Sequence, residues 1–160
     1  MNPFIKAGLL LRFTRGFYVT PNCQLEHLSQ RISPKSALSL GTVLAKELII
    51  GSTPNKTIYA VKTGRSRTYT SSMGRIVHLG LSKHLWFGYD QFDNGVRSAN
   101  KEKAFLDTLY FYQKGQKFSF NVYSDIDVSL LNKGLIQKYL GNYPNPKFRK
   151  FVQTIINQGA

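Results

Sequence analysis

Two clusters of arginine, lysine and small hydroxyl side chains carry the chemistry that this sequence offers. Residues 8–19 read Gly-Leu-Leu-Leu-Arg-Phe-Thr-Arg-Gly-Phe-Tyr-Val. Two short apolar runs, 9–13 and 17–19, flank Arg15-Gly16, and glycine tolerates the positive φ of a tight turn. The spacing predicts a β-hairpin with Arg15 at its tip and Arg12 projecting from one strand. Lys6 lies just before it, on a short helix predicted over 2–7. The second cluster is Lys62, Arg65, Arg67 and Arg75, interleaved with Thr63, Ser66, Thr68, Tyr69, Thr70, Ser71 and Ser72. Guanidinium groups beside hydroxyl donors suit the oxygens of phosphate, and a solvated polar loop has the same composition.

Other chemistries find little material. His27, His78 and His84 have no metal-ligand spacing, and Cys23 is the single cysteine, so neither a zinc site of the usual Cys/His kind nor an internal disulfide is expected. Cys23 also lacks the basic neighbours that activate a thiol. Gly64-Arg65-Ser66-Arg67 holds one glycine and does not form a phosphate-cradling loop. Glu102 and Asp107 fall on one predicted helix, where five residues turn the chain through about 500°, so the two carboxylates diverge by about 140° and do not converge on a metal. No catalytic residue, metal or cofactor is expected.

Charge points the same way as the basic clusters. The chain carries 22 Lys and Arg against 8 Asp and Glu, a formal charge of +14 with a pI near 10.0. Such a field draws in polyanions, of which nucleic acid is the commonest; an acidic protein is the alternative. The excess leans towards the first half, where Glu26 and Glu47 are the acidic residues before position 76. An apolar content of 42% with 13% aromatics supports a packed core rather than disorder. The longest apolar run is too short to span a bilayer, and the first residues lack the charged leader and long apolar stretch of a signal peptide. With one cysteine, a reducing, cytoplasmic compartment and no membrane partner are expected.

The elements that must position these residues follow from periodicity and punctuation. Leu25, Leu28 and Ile32 predict a helix over 24–31. Ser33-Pro34 reads as a helix start, giving a helix over 35–48 with Ala37, Leu40, Leu44 and Leu48 on one face and Gly41 in close packing. Residues 51–55 are a loop. Strands are predicted over 57–62, 67–70, 75–79 and 96–99, with 86–92 extended and Asn94-Gly95 as a hairpin turn. Asn100 caps a helix over 101–113 that Gly115 stops. Residues 118–123 read as a last strand. Asp127 caps a helix from 128, and apolar helical patterns follow over 135–140 and 147–157, with Pro144 and Pro146 between them.

A basic-tipped hairpin after a short helix is the trailing half of a winged helix. Four stretches carry a wider resemblance: residues 8–19 with Arg-Gly-Phe-Tyr, residues 32–48 with Ser-Pro and the following helix, Phe87-Gly88-Tyr89, and residues 96–110 with Arg-Ser-Ala-Asn-Lys-Glu-Lys-Ala-Phe-Leu-Asp-Thr-Leu-Tyr. In this order, over most of residues 4–131, the chain resembles the AbiEi antitoxin family of type IV toxin–antitoxin systems, whose members also act as transcriptional regulators. The resemblance implies a bacterial cell, an N-terminal winged helix that represses its own operon and a C-terminal domain that counters a nucleotidyltransferase-like toxin. A full winged helix needs further helices before the recognition helix, so residues 1–21 correspond to its trailing part and residues 22–160 to the antitoxin domain. In this reading Glu102, Lys103 and Asp107 are structural, pairing with the basic loop or capping strands.

The expected fold is α+β: a wing-like hairpin, then a mixed, mostly antiparallel sheet with packed helices and a helical C-terminus. The expected function is a DNA-binding antitoxin and autorepressor. Lys6, Arg12, Arg15, Lys62, Arg65, Arg67 and Arg75 are its phosphate contacts; duplex DNA, the toxin and a second copy in a homodimer are its partners. The alternatives are an enzyme, nuclease-like or toxin-modifying, and a module that binds protein alone. Residues 1–19 are expected to pack against the body or to mediate the dimer, because Phe4, Ile5, Leu9 and Leu11 need cover.

Overall fold

Alternating apolar and β-branched residues build a six-stranded sheet, and the tightest turns in the chain set its hairpins. The computed structural model describes residues 3–53 and 56–159. The start of the predicted first helix, at Asn2, and Pro54-Asn55 of the predicted loop therefore lie outside the described residues. The elements run α1 (Pro3–Lys6), β1 (Leu11–Thr14), β2 (Phe17–Val19), α2 (Leu25–Ile32), β3 (Ala37–Leu38), α3 (Leu40–Lys46), β4 (Thr57–Thr63), β5 (Arg67–Ser71), β6 (Gly74–Leu81), β7 (Gln91–Asp93), β8 (Val96–Ser98), α4 (Lys101–Gln113), α5 (Lys133–Leu140) and α6 (Pro146–Gln158).

The sheet order is β5-β6-β4-β3-β8-β7. β4 runs parallel to β6 from Thr57↔Arg75 to Thr63↔Leu81, and β3 runs parallel to β8. The remaining pairings, β3 with β4, β5 with β6 and β7 with β8, are antiparallel. The class is α+β, with helices on both faces of a mixed sheet. α2 covers the face that carries His78, through a 2.9 Å hydrogen bond between Ser29 Oγ and His78 Nε2. On the other face α3 packs against α4, and α4 in turn against α5 and α6. α4 is buried on nearly every side, from Glu102 to Leu109. No helix of the described residues is long and apolar enough to cross a membrane.

The hairpin β1–β2 forms its own two-stranded sheet, with Gly16 at φ +83° in the turn. A bulge between Arg12 and Thr14 turns Phe13 inward, and Phe13 and Val19 join the same buried cluster as the large sheet. The expected packing of the front segment therefore holds for the hairpin. Burial against the body does not extend to α1, which buries no residue, and Phe4 and Leu9 stay 56% and 58% exposed; the dimer alternative concerns a second copy of the chain.

Four expected elements differ; one of them, the helix expected from 128, is only a 3-10 turn, Val128–Leu130, whose cap is Asp127 as expected. The helix over 35–48 is two pieces. Ser33 ends α2, its N–H bonding Ser29 O at 3.2 Å, and residues 37–38 become β3 because they bridge β4 and β8. That tertiary pairing outweighs helix propensity. α3 then stops at Lys46, and Leu48 takes φ +59° and lies 77% exposed rather than on the apolar face. Residues 118–123 form no strand: the sheet edges are β5 and β7, and Asn121 and Asp125 fold this segment into side-chain-closed turns. Its Phe118 and Phe120 stack at 5.3 Å instead, and a Cβ on Gly41 would meet Phe120 at 3.1 Å, the close packing expected there. Residues 86–92 are extended only from Gln91; before them a 3-10 turn, Lys83–Leu85, leads into an irregular segment. At Gly88, φ is +79° and a Cβ would lie 2.9 Å from Lys103 Cβ.

Candidate nucleic-acid interface and a buried ionic network

The strand register sorts the basic residues. β4 and β6 pair Lys62 with Gly80, and β5 and β6 pair Arg67 with His78. Lys62 and Arg67 therefore share the sheet face of His78, two strands apart, a spacing of about 10 Å. Arg65 is exposed in the connection between β4 and β5. Lys62, Arg65 and Arg67 thus come together at one end of these strands. Arg75 does not join them: it pairs with Thr57 and Thr70 at the opposite end of β6 and on the opposite face.

The hairpin lies alongside β5. Arg12 pairs with Tyr18 on the hairpin's outer side, and both are exposed, as is Arg15 at the tip. Lys6 is exposed at the end of α1. The ion pairs among the described residues are Lys46–Asp93 and Lys103–Asp107, so none of the seven predicted contacts is neutralised by a carboxylate. The Arg67 guanidinium lies over the Tyr69 ring at 5.3 Å, which orients it without satisfying its charge. Beside this edge, burial lowers the His78 pKa to about 4, with the Lys62 charge adding to the effect, so His78 is a neutral core group.

The second polar cluster is buried. Lys103 and Asp107, one turn apart on α4, are both fully inaccessible, and Lys103 Nζ lies 3.0 Å from Asp107 Oδ1. Lys103 Nζ also donates to Tyr143 OH at 2.7 Å. Ser39 Oγ and Tyr89 OH each donate to Asp107 Oδ2 at 2.6 Å. The Phe87 ring faces the ammonium at 4.1 Å. Burial pulls the lysine pKa down, while Asp107 opposes the shift; burial and Asp107 together hold Tyr89 well above the usual phenol range.

These positions correct one expectation. Lys103 and Asp107 do not pair with the basic loop; they pair with each other and tie α4 to the residue before α3, to the segment before β7 and to the connection between α5 and α6. Glu102 shares the burial, at 5% exposure, but points elsewhere, and its Oε2 has no partner among the described residues. The signal for the pair was an i,i+4 Lys–Asp spacing set among Ala104, Phe105 and Leu109, which places both charges on an apolar helix face. Tyr89 and Tyr143 had no local signal, because only the fold brings them to α4. Among the described residues, no group of three or more His, Cys, Asp and Glu side chains is arranged to hold a metal ion. Comparison with known proteins gives no matching family model and no matching curated relative.

Proposed function

We propose that this protein binds duplex DNA by phosphate contacts and serves as the antitoxin and autorepressor of a type IV toxin–antitoxin pair. The observation that carries the DNA reading is the unneutralised basic edge, where a docked hairpin bearing Arg12 and Arg15 lies beside the strand that follows Lys62 and Arg65. Cations on rigid strands are held ready for phosphate oxygens, and their release of condensed counterions drives binding. The antitoxin reading rests on the resemblance of residues 8–19, 32–48, 87–89 and 96–110 to the AbiEi family. Its partner is then a nucleotidyltransferase-like toxin.

DNA affinity measured by fluorescence anisotropy at rising salt tests the first part. Each phosphate contact steepens the slope of log K against log salt by about 0.9, so Arg12→Ala and Arg15→Ala should each flatten it by about one contact. Lys133→Ala, on α5 away from this edge, should change it less. Binding indifferent to salt would refute the proposal. A gel-shift comparison of an inverted-repeat operator with scrambled DNA should give weak discrimination; a preference on the order of a thousandfold would mean base reading instead. Rescue of cells expressing the neighbouring nucleotidyltransferase-like reading frame tests the antitoxin role, and absence of such a gene overturns it.

A further inference from the structure

A cleft of about 590 Å³ opens on the opposite sheet face from His78, Lys62 and Arg67. Thr63, which ends β4 and alternates with Lys62, lines it on the side of the parallel β4–β6 pair. Lys35, Lys83 and Arg97 reach the cleft from three different parts of the chain. None of the three has a carboxylate within ion-pair distance among the described residues. The Arg97 guanidinium is aimed by the Phe92 ring, 5.4 Å away, and by the Pro34 carbonyl, which accepts from Nη1 at 3.4 Å. Asp90 is the one carboxylate of the lining.

Between these charges lies an aromatic wall. Trp86 is half-buried and packs on Tyr89 with ring centroids 4.5 Å apart. Tyr89 cannot swing freely, because its hydroxyl donates to Asp107 within the buried network. Three unneutralised cations select an anion. An immobilised indole beside them selects a planar ring on that anion, and the volume falls within the range of small-molecule sites.

We propose that this cleft binds a nucleoside monophosphate, with the base stacked on Trp86 and the phosphate held by Lys35, Lys83 and Arg97. Asp90 supplies an acceptor for the sugar hydroxyls. The buried Lys103–Asp107 pair then acts as a positioning device that fixes the cleft wall through Tyr89. The same chemistry is presented by the terminal nucleotide of a nucleic-acid strand, so the test must separate the free molecule from the strand end.

Trp86 is the sole tryptophan, and the intrinsic fluorescence of the full chain therefore reports on this cleft directly. AMP, GMP, CMP and UMP are titrated in turn, alongside adenosine, inorganic phosphate and a short single-stranded oligonucleotide lacking a terminal phosphate. At least one mononucleotide should quench Trp86 saturably, whereas adenosine should not saturate and phosphate should compete without quenching. Lys83→Ala and Arg97→Ala should each weaken the dissociation constant by about tenfold. Lys83 is exposed, so that variant keeps the fold intact. Arg12→Ala and Arg15→Ala should leave quenching unchanged, which separates this site from the proposed DNA edge. No saturable quenching by any mononucleotide, saturation by the oligonucleotide alone, or binding unaffected by Lys83→Ala overturns the proposal.

Discussion

Lys103 is fully buried, and what it does there is decided by Asp107. Two charges withdrawn from water lose several kcal/mol of hydration each, which their attraction repays only when the remaining donors and acceptors are satisfied. Here Ser39 and Tyr89 both donate to Oδ2 of Asp107 and Tyr143 accepts from Lys103, while among the described residues Oδ1 of Asp107 has the ammonium alone. Removing one partner strands the other. Lys103→Met should therefore cost about 3–5 kcal/mol of stability in urea unfolding, and the double variant Lys103→Met/Asp107→Leu should cost less than Lys103→Met alone. Additive losses would show that the two residues are not coupled. His78 gives a prediction of a different kind. Its folded pKa of about 4 lies below the ordinary 6.5, owing first to burial and then to Lys62. The unfolded chain takes up the proton first as pH falls. The stability carried by neutral His78 is thus complete above pH 6.5 and drains away towards pH 4, with about 2 kcal/mol lost by about pH 5. His78→Gln should flatten the dependence of the urea midpoint on pH across that window.

Among the elements, α4 is the one on which the others are assembled. Asn100 starts it by accepting from Lys103 N at 2.8 Å, and its Nδ2 donates to Tyr139 OH at 2.7 Å, so the cap also fastens α5. Asn100→Ala should cost about 1–2 kcal/mol, at the upper end for a cap, since two bonds are lost. The hairpin is held by Phe13, which is 3% exposed. Phe13→Ala should cost about 3 kcal/mol and expose Arg12 and Arg15 to early cleavage by trypsin. What could be read from the sequence divides along the same line. α4, its cap, β4 to β6, the Asn94-Gly95 turn and the hairpin at Gly16 announce themselves through local chemistry, because the cap and turn residues fix their own backbone. β3 does not: two residues become a strand only because β4 and β8 stand on either side. The alternation over 118–123 is that of a strand, yet no free sheet edge lies beside it, and its rings stack on one another instead. The basic residues were visible as a cluster, but strand register, which no local pattern reports, separates Arg75 from Lys62, Arg65 and Arg67. In the same way the aromatic partners of Lys103 come from residues 16 and 14 positions before it and 40 after it.

For the molecule as a whole, the dominant electrostatic quantity is repulsion. A formal charge of +14 is spread over 160 residues. Among the described residues it is relieved by one buried pair and by Lys46–Asp93, an exposed pair at 3.5 Å. Exposed pairs contribute little, so screening has almost no attraction to remove and much repulsion to relax. The Debye length falls from about 20 Å at about 20 mM salt to about 10 Å at 0.1 M, so repulsion between cations further apart than this is largely screened. The thermal midpoint should therefore rise as NaCl is raised from about 20 mM to about 300 mM, by a few degrees for a gain of about 1 kcal/mol. A polyanion added at low salt should raise it further, because it binds the folded basic surface in preference to the extended chain. That second increment should vanish at about 300 mM, where counterion release no longer drives association. A midpoint that falls with salt would mean that favourable pairing, not self-repulsion, governs this surface, and the unneutralised edge proposed for phosphate would lose its basis.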